Sequence, residues 1–320
     1  MSVPDGHEFA LCLTHDVDRP YKRSYRALAD AAGGRPGALV DRARGDNSYW
    51  QFGTVRRVEE SLGVRSSFYF LSSKHLLRDR PPYEWVRPRY VLEHLGRYDP
   101  TASEVADEMR RLDDGGWEVG LHGSYDSYDD RDRLRYEKER LETALGHPVA
   151  GVRQHYLNLT PSTTWHHHAA LGLGYDTSLG SSTEYGFDHG YDPIRPFDDA
   201  FVVFPLTLME TALPDPGDDA AAARAAVDDL LVEAAENDAV MTALWHPRYF
   251  SDGDFPGYRD VYRYLVERAL EMGAWVGSPG DLYATLDHPR DRLGAGPDGD
   301  ADRQAVADDP AVVTSHGGEH

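Results

Sequence analysis

The sequence predicts an α/β chain, folded as a distorted (β/α) barrel of about seven parallel strands. Three observations lead there. Short apolar runs alternate with helical stretches from Phe9 to Val276, the order of a parallel sheet with crossover helices. Several of those runs end in Asp, His or Arg, where open α/β sheets and barrels build their sites. The 320 residues suffice for one large core, and no internal repeat divides them.

The first predicted strand, Phe9–Thr14, leads into His15-Asp16-Val17-Asp18. Period-two alternation sets Cys12, Thr14, Asp16 and Asp18 on one face and Leu11, Leu13, His15 and Val17 on the other. The second face is mostly apolar and suits a cover of helices. Two adjacent carboxylates suit a metal ligand beside a base, although solvated acids at a strand end look the same. A glycine- and charge-rich insertion over 33–48 separates this strand from a helix over Trp50–Leu62. The strand Arg65–Leu71 follows. Residues 72–100 are rich in Arg, Pro and Tyr, and rings such as Tyr83 and Trp85 suit either stacking on a sugar or pinning the loop. Thr101 to Glu104 reads as a capping box opening a helix to Leu112.

Glu118–His122 is the next strand, and His122 at its end is a candidate metal ligand or a buried imidazole satisfied by a carbonyl. The acidic loop Asp126 to Asp130 caps a helix starting near Arg131 with a Leu134, Leu141, Leu145 stripe. In the strand Gly151–Gln154, alternation puts Arg153 and His155 on one face, and an inward Arg keeps nearby carboxylates ionised. Tyr175–Ser178 offers Asp176. Phe201–Thr207 reads as one strand, and Asp218–Glu236 as an alanine-rich helix. Val240–Trp245 closes on His246 and a Pro247 that cannot continue the ladder. A helix over Val261–Met272 and a strand over Ala274–Val276 complete the domain, drawn at 1–287. From His288 to the end the composition is that of a disordered acidic tail, so His316 and His320 lie outside the site. Glu184, Asp188, His189 and Glu210 are further candidates on loops.

Thr-His-Asp-Val-Asp (14–18), Gly-Leu-His-Gly-Ser-Tyr (120–125), Gly-Val-Arg-Gln-His-Tyr (151–156), Tyr-Asp-Thr-Ser-Leu (175–179) and Leu-Trp-His (244–246) follow one another in this order. The series resembles the polysaccharide deacetylase superfamily, whose catalytic unit is the NodB homology domain of carbohydrate esterase family 4. The likeness spans about residues 8–286 and lies in the order of the five motifs. It implies that Asp16 is the general base, Asp18 a ligand of a divalent ion, usually zinc, and His122 another ligand. It further implies that Arg153 holds the base and that His246 is the general acid. The second motif usually ends in a His four residues after the first, and here that position is Asp126. Either Asp126 ligates in its place or His155 does, where the family usually has Pro; zinc's preference for imidazole favours His155. The resemblance implies hydrolysis of an N-acetyl or O-acetyl group on a sugar or glycan precursor. Hydrolysis of a non-sugar C–N bond, as in allantoinase-like members, is an alternative. A glycan-binding module without catalysis is another.

The net charge is -22, and only Lys22, Lys74 and Lys138 among the 33 basic residues are lysines. That pattern resembles proteins of salt-loving organisms, in which molar salt screens self-repulsion. It argues against nucleic acid or an anionic membrane as a partner. The single cysteine, Cys12, allows no intrachain disulfide and reads as a core residue. No signal-like start and no membrane-length apolar run is present, so the expected location is the cytoplasm.

Overall fold

The computed structural model describes residues 2–22 and 47–286, apart from 73–75, 78–79, 89, 92–93, 95–96 and 198–199. The predicted tail and all but the last two residues of the 33–48 insertion lie outside the described residues. Among the described residues nine strands form one parallel sheet: β1 (Ala10–Val17), β2 (Ser67–Leu71), β3 (Glu118–Gly123), β4 (Gly151–Gln154), β5 (Tyr175–Asp176), β6 (Val202–Val203), β7 (Leu208–Met209), β8 (Val240–Leu244) and β9 (Trp275–Gly277). Their order is β6-β5-β4-β3-β2-β1-β8-β7. β9 pairs with the start of β1 at Ala10–Cys12, and β2 takes over at Thr14–Val17. Seven helices accompany the strands among the described residues: α1 (Phe52–Leu62), α2 (Ser103–Asp114), α3 (Arg131–Leu145), α4 (Pro161–Ala170), α5 (Pro216–Glu236), α6 (Tyr258–Glu271) and α7 (Pro279–Thr285). The result is the distorted (β/α) barrel that the alternation predicts. No helix among the described residues is long and apolar enough to cross a membrane.

The two faces of β1 behave as period two requires. Leu11, Leu13 and Val17 join the main core with Val55, Leu112, Leu134, Leu141, Leu230 and Leu265 from the helices. Ala10 and Cys12 face inward, with Tyr69, Tyr175, Phe204 and Leu282. Burial pushes the Cys12 thiol up, so it packs as a small apolar group. Gly120 admits the Tyr69 ring, whose carbons lie 2.5 Å from where a Cβ would stand.

Two sequence expectations are corrected. Phe201–Thr207 is not one strand: β6 ends at Val203, and Pro205, lacking an N–H, interrupts the ladder. The chain then crosses the open seam of the barrel, Leu206 N–H bonding the Leu179 carbonyl and Thr207 N–H the Thr242 carbonyl, to begin β7 on the opposite edge. The capping box is also absent, since α2 begins after Ala102 with no side-chain cap. The Thr101 hydroxyl instead donates to Asp99 (2.7 Å). The cap on α3 does form, Asp130 accepting from Arg133 N–H at 3.0 Å.

A buried polar cluster sits behind the sheet, outside the barrel. Glu59, on the buried stripe of α1, accepts from His15 Nε2 (2.9 Å), Ser66 Oγ (2.9 Å), Trp117 Nε1 and Tyr262 Oη. His15 Nδ1 also bonds the Trp245 carbonyl. Removing one partner leaves the others buried and unanswered, which costs about 3–5 kcal/mol. Glu59→Ala should therefore lower stability by about that much, with Glu59→Gln in between, read from denaturant midpoints at fixed salt. A loss below about 1 kcal/mol would mean that water replaces the carboxylate there.

Candidate active site

β1 runs past Thr14 to Val17, so Asp16 is held in regular strand and Asp18 lies one residue beyond. Arg153, on inward-facing β4, is fully buried. Its Nη1 lies 2.7 Å from Thr14 Oγ1 and 3.1 Å from Asp16 Oδ1, and its Nε donates to the Thr177 carbonyl (2.9 Å). The guanidinium lies 5.1 Å from the Tyr69 ring centroid.

Three potential ligand atoms converge beside this pair. His122 Nε2 is 3.0 Å from both Asp18 Oδ1 and His155 Nδ1, and the last two are 3.2 Å apart. Asp18, His122 and His155 form the one group of this kind among the described residues. Donors about 2.0–2.1 Å from a tetrahedral ion stand roughly 3.3 Å from one another, so the trio fits a zinc-like ion. The Nδ1–H of His122 donates to the Arg153 carbonyl (2.9 Å), which fixes the ring so that Nε2 is the atom turned to Asp18 and His155. Electrostatics point the same way. Burial opposes ionisation of Asp18, but the His155 and His246 charges and the His122 hydrogen bond hold it well below the carboxylate range. Burial likewise lowers His122, yet the Asp16 and Asp18 carboxylates raise it overall. His155 is lowered, chiefly by burial. The two carboxylates thus favour a positive charge at the centre of the trio.

His246 follows β8 and approaches from the other side, its Nε2 3.2 Å from Asp18 Oδ2. Its Nδ1 is 2.6 Å from Glu210 Oε1, and Glu210 is fully buried. Burial lowers the imidazole pKa, but the Glu210 and Asp18 carboxylates outweigh this and push it up to about 9. Arg248 Nη1 lies 3.4 Å from Asp18 Oδ2.

Asp126 stands elsewhere, its Oδ2 3.1 Å from Arg133 Nη1 and 3.6 Å from Arg80 Nη1. Asp176 is buried too, but turned to Ser178 (2.8 Å to N, 2.7 Å to Oγ) and His168 (3.2 Å). Glu184, Asp188 and His189 are exposed and outside the cleft. The aromatics of 72–100 do not line it either: Tyr98 donates to the Val17 carbonyl (2.8 Å) and Trp85 Nε1 to the Arg80 carbonyl (3.0 Å). The sequence alone shows Glu210 only as a loop acid; its partner lies 36 residues away.

A cleft of about 290 Å³ opens over Asp16, Asp18, His155 and His246, with Arg19, Tyr156, Leu157, Met209 and Arg248 on its walls. Tyr156 (φ 59°) and Leu157 (φ 54°) are both left-handed without being glycine, a strained turn that aims this wall.

No protein-family model and no curated protein sequence matches the chain. Solved structures do. A Mycobacterium smegmatis protein assigned as a polysaccharide deacetylase superposes with a TM-score of 0.59 at 18% identity, over 95% of this chain and 98% of that one. PuuE allantoinase gives 0.55 at 15% identity, over 88% and 91%. A Pseudomonas aeruginosa PAO1 protein assigned as a polysaccharide deacetylase gives 0.53 at 13%, also over 88% and 91%. At such identities the likeness is one of fold: the chain has the NodB-like barrel shared by the polysaccharide deacetylases and PuuE allantoinase.

Proposed function

We propose that the protein is a metal-dependent hydrolase that removes an acetyl group, on nitrogen or oxygen, from a sugar or glycan precursor. The observation carrying this reading is the meeting of three kinds of group in one cleft. They are the Asp18–His122–His155 donor trio, a carboxylate held by Arg153, and an imidazole backed by Glu210. The activity assigned to the deacetylase neighbours supports it.

Asp18, His122 and His155 would hold a divalent ion, zinc by its donor chemistry, which would supply Lewis acidity to the acyl carbonyl and to a water. Asp16 takes the proton of the attacking water, and Arg153 holds its carboxylate in place for that task. His246, protonated and held by Glu210, gives a proton to the leaving nitrogen, which an amide needs in order to expel an amine. The wall at Tyr156 offers backbone N–H to the developing oxyanion. The domain over 1–287 is proposed as the catalytic unit.

Hydrolysis of a small cyclic or linear amide is the second reading. It is favoured by the modest cleft, at the lower end of the about 300–1,000 Å³ usual for ligand sites. Acetate release from N-acetylated sugars, against ring opening of allantoin, separates the two.

Purified full-length protein should carry one divalent ion per chain by elemental analysis. Asp18→Ala and His122→Ala should lose it. His155→Ala should weaken metal affinity steeply while Asp126→Ala leaves it unchanged; the reverse ranking would transfer the third ligand position to Asp126.

Asp16→Asn should keep the ion yet lower kcat by at least the ~10²–10⁴ associated with general-base catalysis. Near-normal turnover would dismiss Asp16 as the base.

Glu210→Gln tests the acid. Glu210 raises the His246 pKa, so the protonated form persists to higher pH than in a free imidazole. Removing that charge should move the alkaline limb of the kcat profile to lower pH and leave the acidic limb in place. An unmoved alkaline limb would mean that His246 is not the proton donor.

A further inference from the structure

The carboxylates of the cleft are answered from within, whereas Arg19 is not and Arg248 is answered only at long range. Asp16 is paired with Arg153 and Glu210 with His246. Arg19 lines the same cleft, partly shielded from water, and forms no hydrogen bond, ion pair or ring contact with any described residue. Arg248, which lines the cleft too, reaches Asp18 Oδ2 through one Nη1 contact at 3.4 Å and otherwise lies 5.1 Å from the Tyr249 ring. A guanidinium carries five donors in a planar fork and no acceptor. Burying part of it without an oxygen to meet the fork costs free energy, which a ligand oxygen recovers.

The surrounding charge sharpens the point. With a net charge of -22, the chain as a whole repels anions. At about 1 M salt, where the Debye length is roughly 3 Å, steering over distance vanishes and only contact pairs discriminate. Two arginine forks facing one cleft are the contact geometry that binds the oxygens of phosphate or carboxylate. A neutral sugar ring has no use for them.

We propose that the cleft takes a substrate bearing an anionic group, phosphate or carboxylate, which Arg19 and Arg248 hold while the acyl group faces Asp16 and His246. Only the acyl placement rests on the deacetylase reading above. The anion site stands on the arginines.

The test is calorimetric binding to the metal-loaded full-length protein at fixed salt. Three probes are used: N-acetylglucosamine 1-phosphate, N-acetylmuramic acid with its carboxylate, and uncharged N-acetylglucosamine. A charge-assisted contact should make at least one anionic probe about tenfold to a hundredfold tighter than the neutral one. Which anion gains identifies the group that the cleft expects. Arg19→Gln should bring charged and neutral probes within about threefold, and Arg19→Lys, which keeps the charge but not the fork, should fall between. Arg110→Gln, an exposed pair with Asp107 on α2, serves as the control. Equal affinity for the three probes would overturn the proposal, as would no binding of either anion at millimolar concentration. So would a preference that survives Arg19→Gln. Acetate release is scored separately: an Arg19-dependent preference without release would keep the anion site and reject the deacetylase reading.

Discussion

A guanidinium sealed from water at the heart of the barrel is the constraint around which the cleft is arranged. Arg153 cannot lose its charge, so its burial is tolerable only where acceptors surround it. Thr14 and Asp16 on β1 and the Thr177 carbonyl after β5 provide them. The carbonyl of the same residue receives His122 Nδ1 from β3. One residue therefore ties together the candidate base, a candidate ligand and three strands. Tyr69, seated on side-chain-free Gly120, fills the space beneath the guanidinium.

The opposite face of β1 solves a different problem. His15 points away from the cleft into Glu59, yet its second nitrogen bonds the Trp245 carbonyl, the residue before His246. The ends of β1 and β8 are thereby fixed against each other from behind. Asp18 and His246 meet at 3.2 Å because their strands are neighbours in the sheet and because this pair locks the strand ends. A fully buried His15–Glu59 contact behind the sheet thus bears on the cleft geometry without touching a substrate.

Much of this was legible in the sequence because parallel strands leave a strong periodic trace. Alternation along Leu11–Asp18 sorts the residues into the two cores observed, and the strand ends bearing Asp16, His122, Arg153 and His246 meet as their order implies. What escaped has local causes. Pro205 breaks a run that reads as one strand, and the two halves belong to opposite edges of the sheet. Asp176 has the right place on its strand but points into a buried turn with Ser178. Glu210 shows in the sequence only as one loop acid among several candidates, since its meaning comes from His246, a partner 36 residues away. Asp126 keeps the family spacing in the sequence, while its side chain is taken up by Arg133 and Arg80.

His155 is the instructive case. Alternation places it on the Arg153 face, but β4 stops at Gln154, and the following residues form a 3-10 turn. The strand pattern therefore does not carry the side chain to its position. Tyr156 and Leu157 take left-handed backbone conformations, each costing about 1–2 kcal/mol for a residue with a Cβ. That turn directs His155 Nδ1 to within 3.0 Å of His122 Nε2, and it also forms the cleft wall. Strain kept at two consecutive non-glycine residues needs an over-determined surrounding, here Asn158 Nδ2 donating to the Tyr125 carbonyl and the Tyr125 ring against Tyr156. The loop after β3 and the turn after β4 are thus braced against each other, so that His122 and His155, 33 residues apart, approach as a pair.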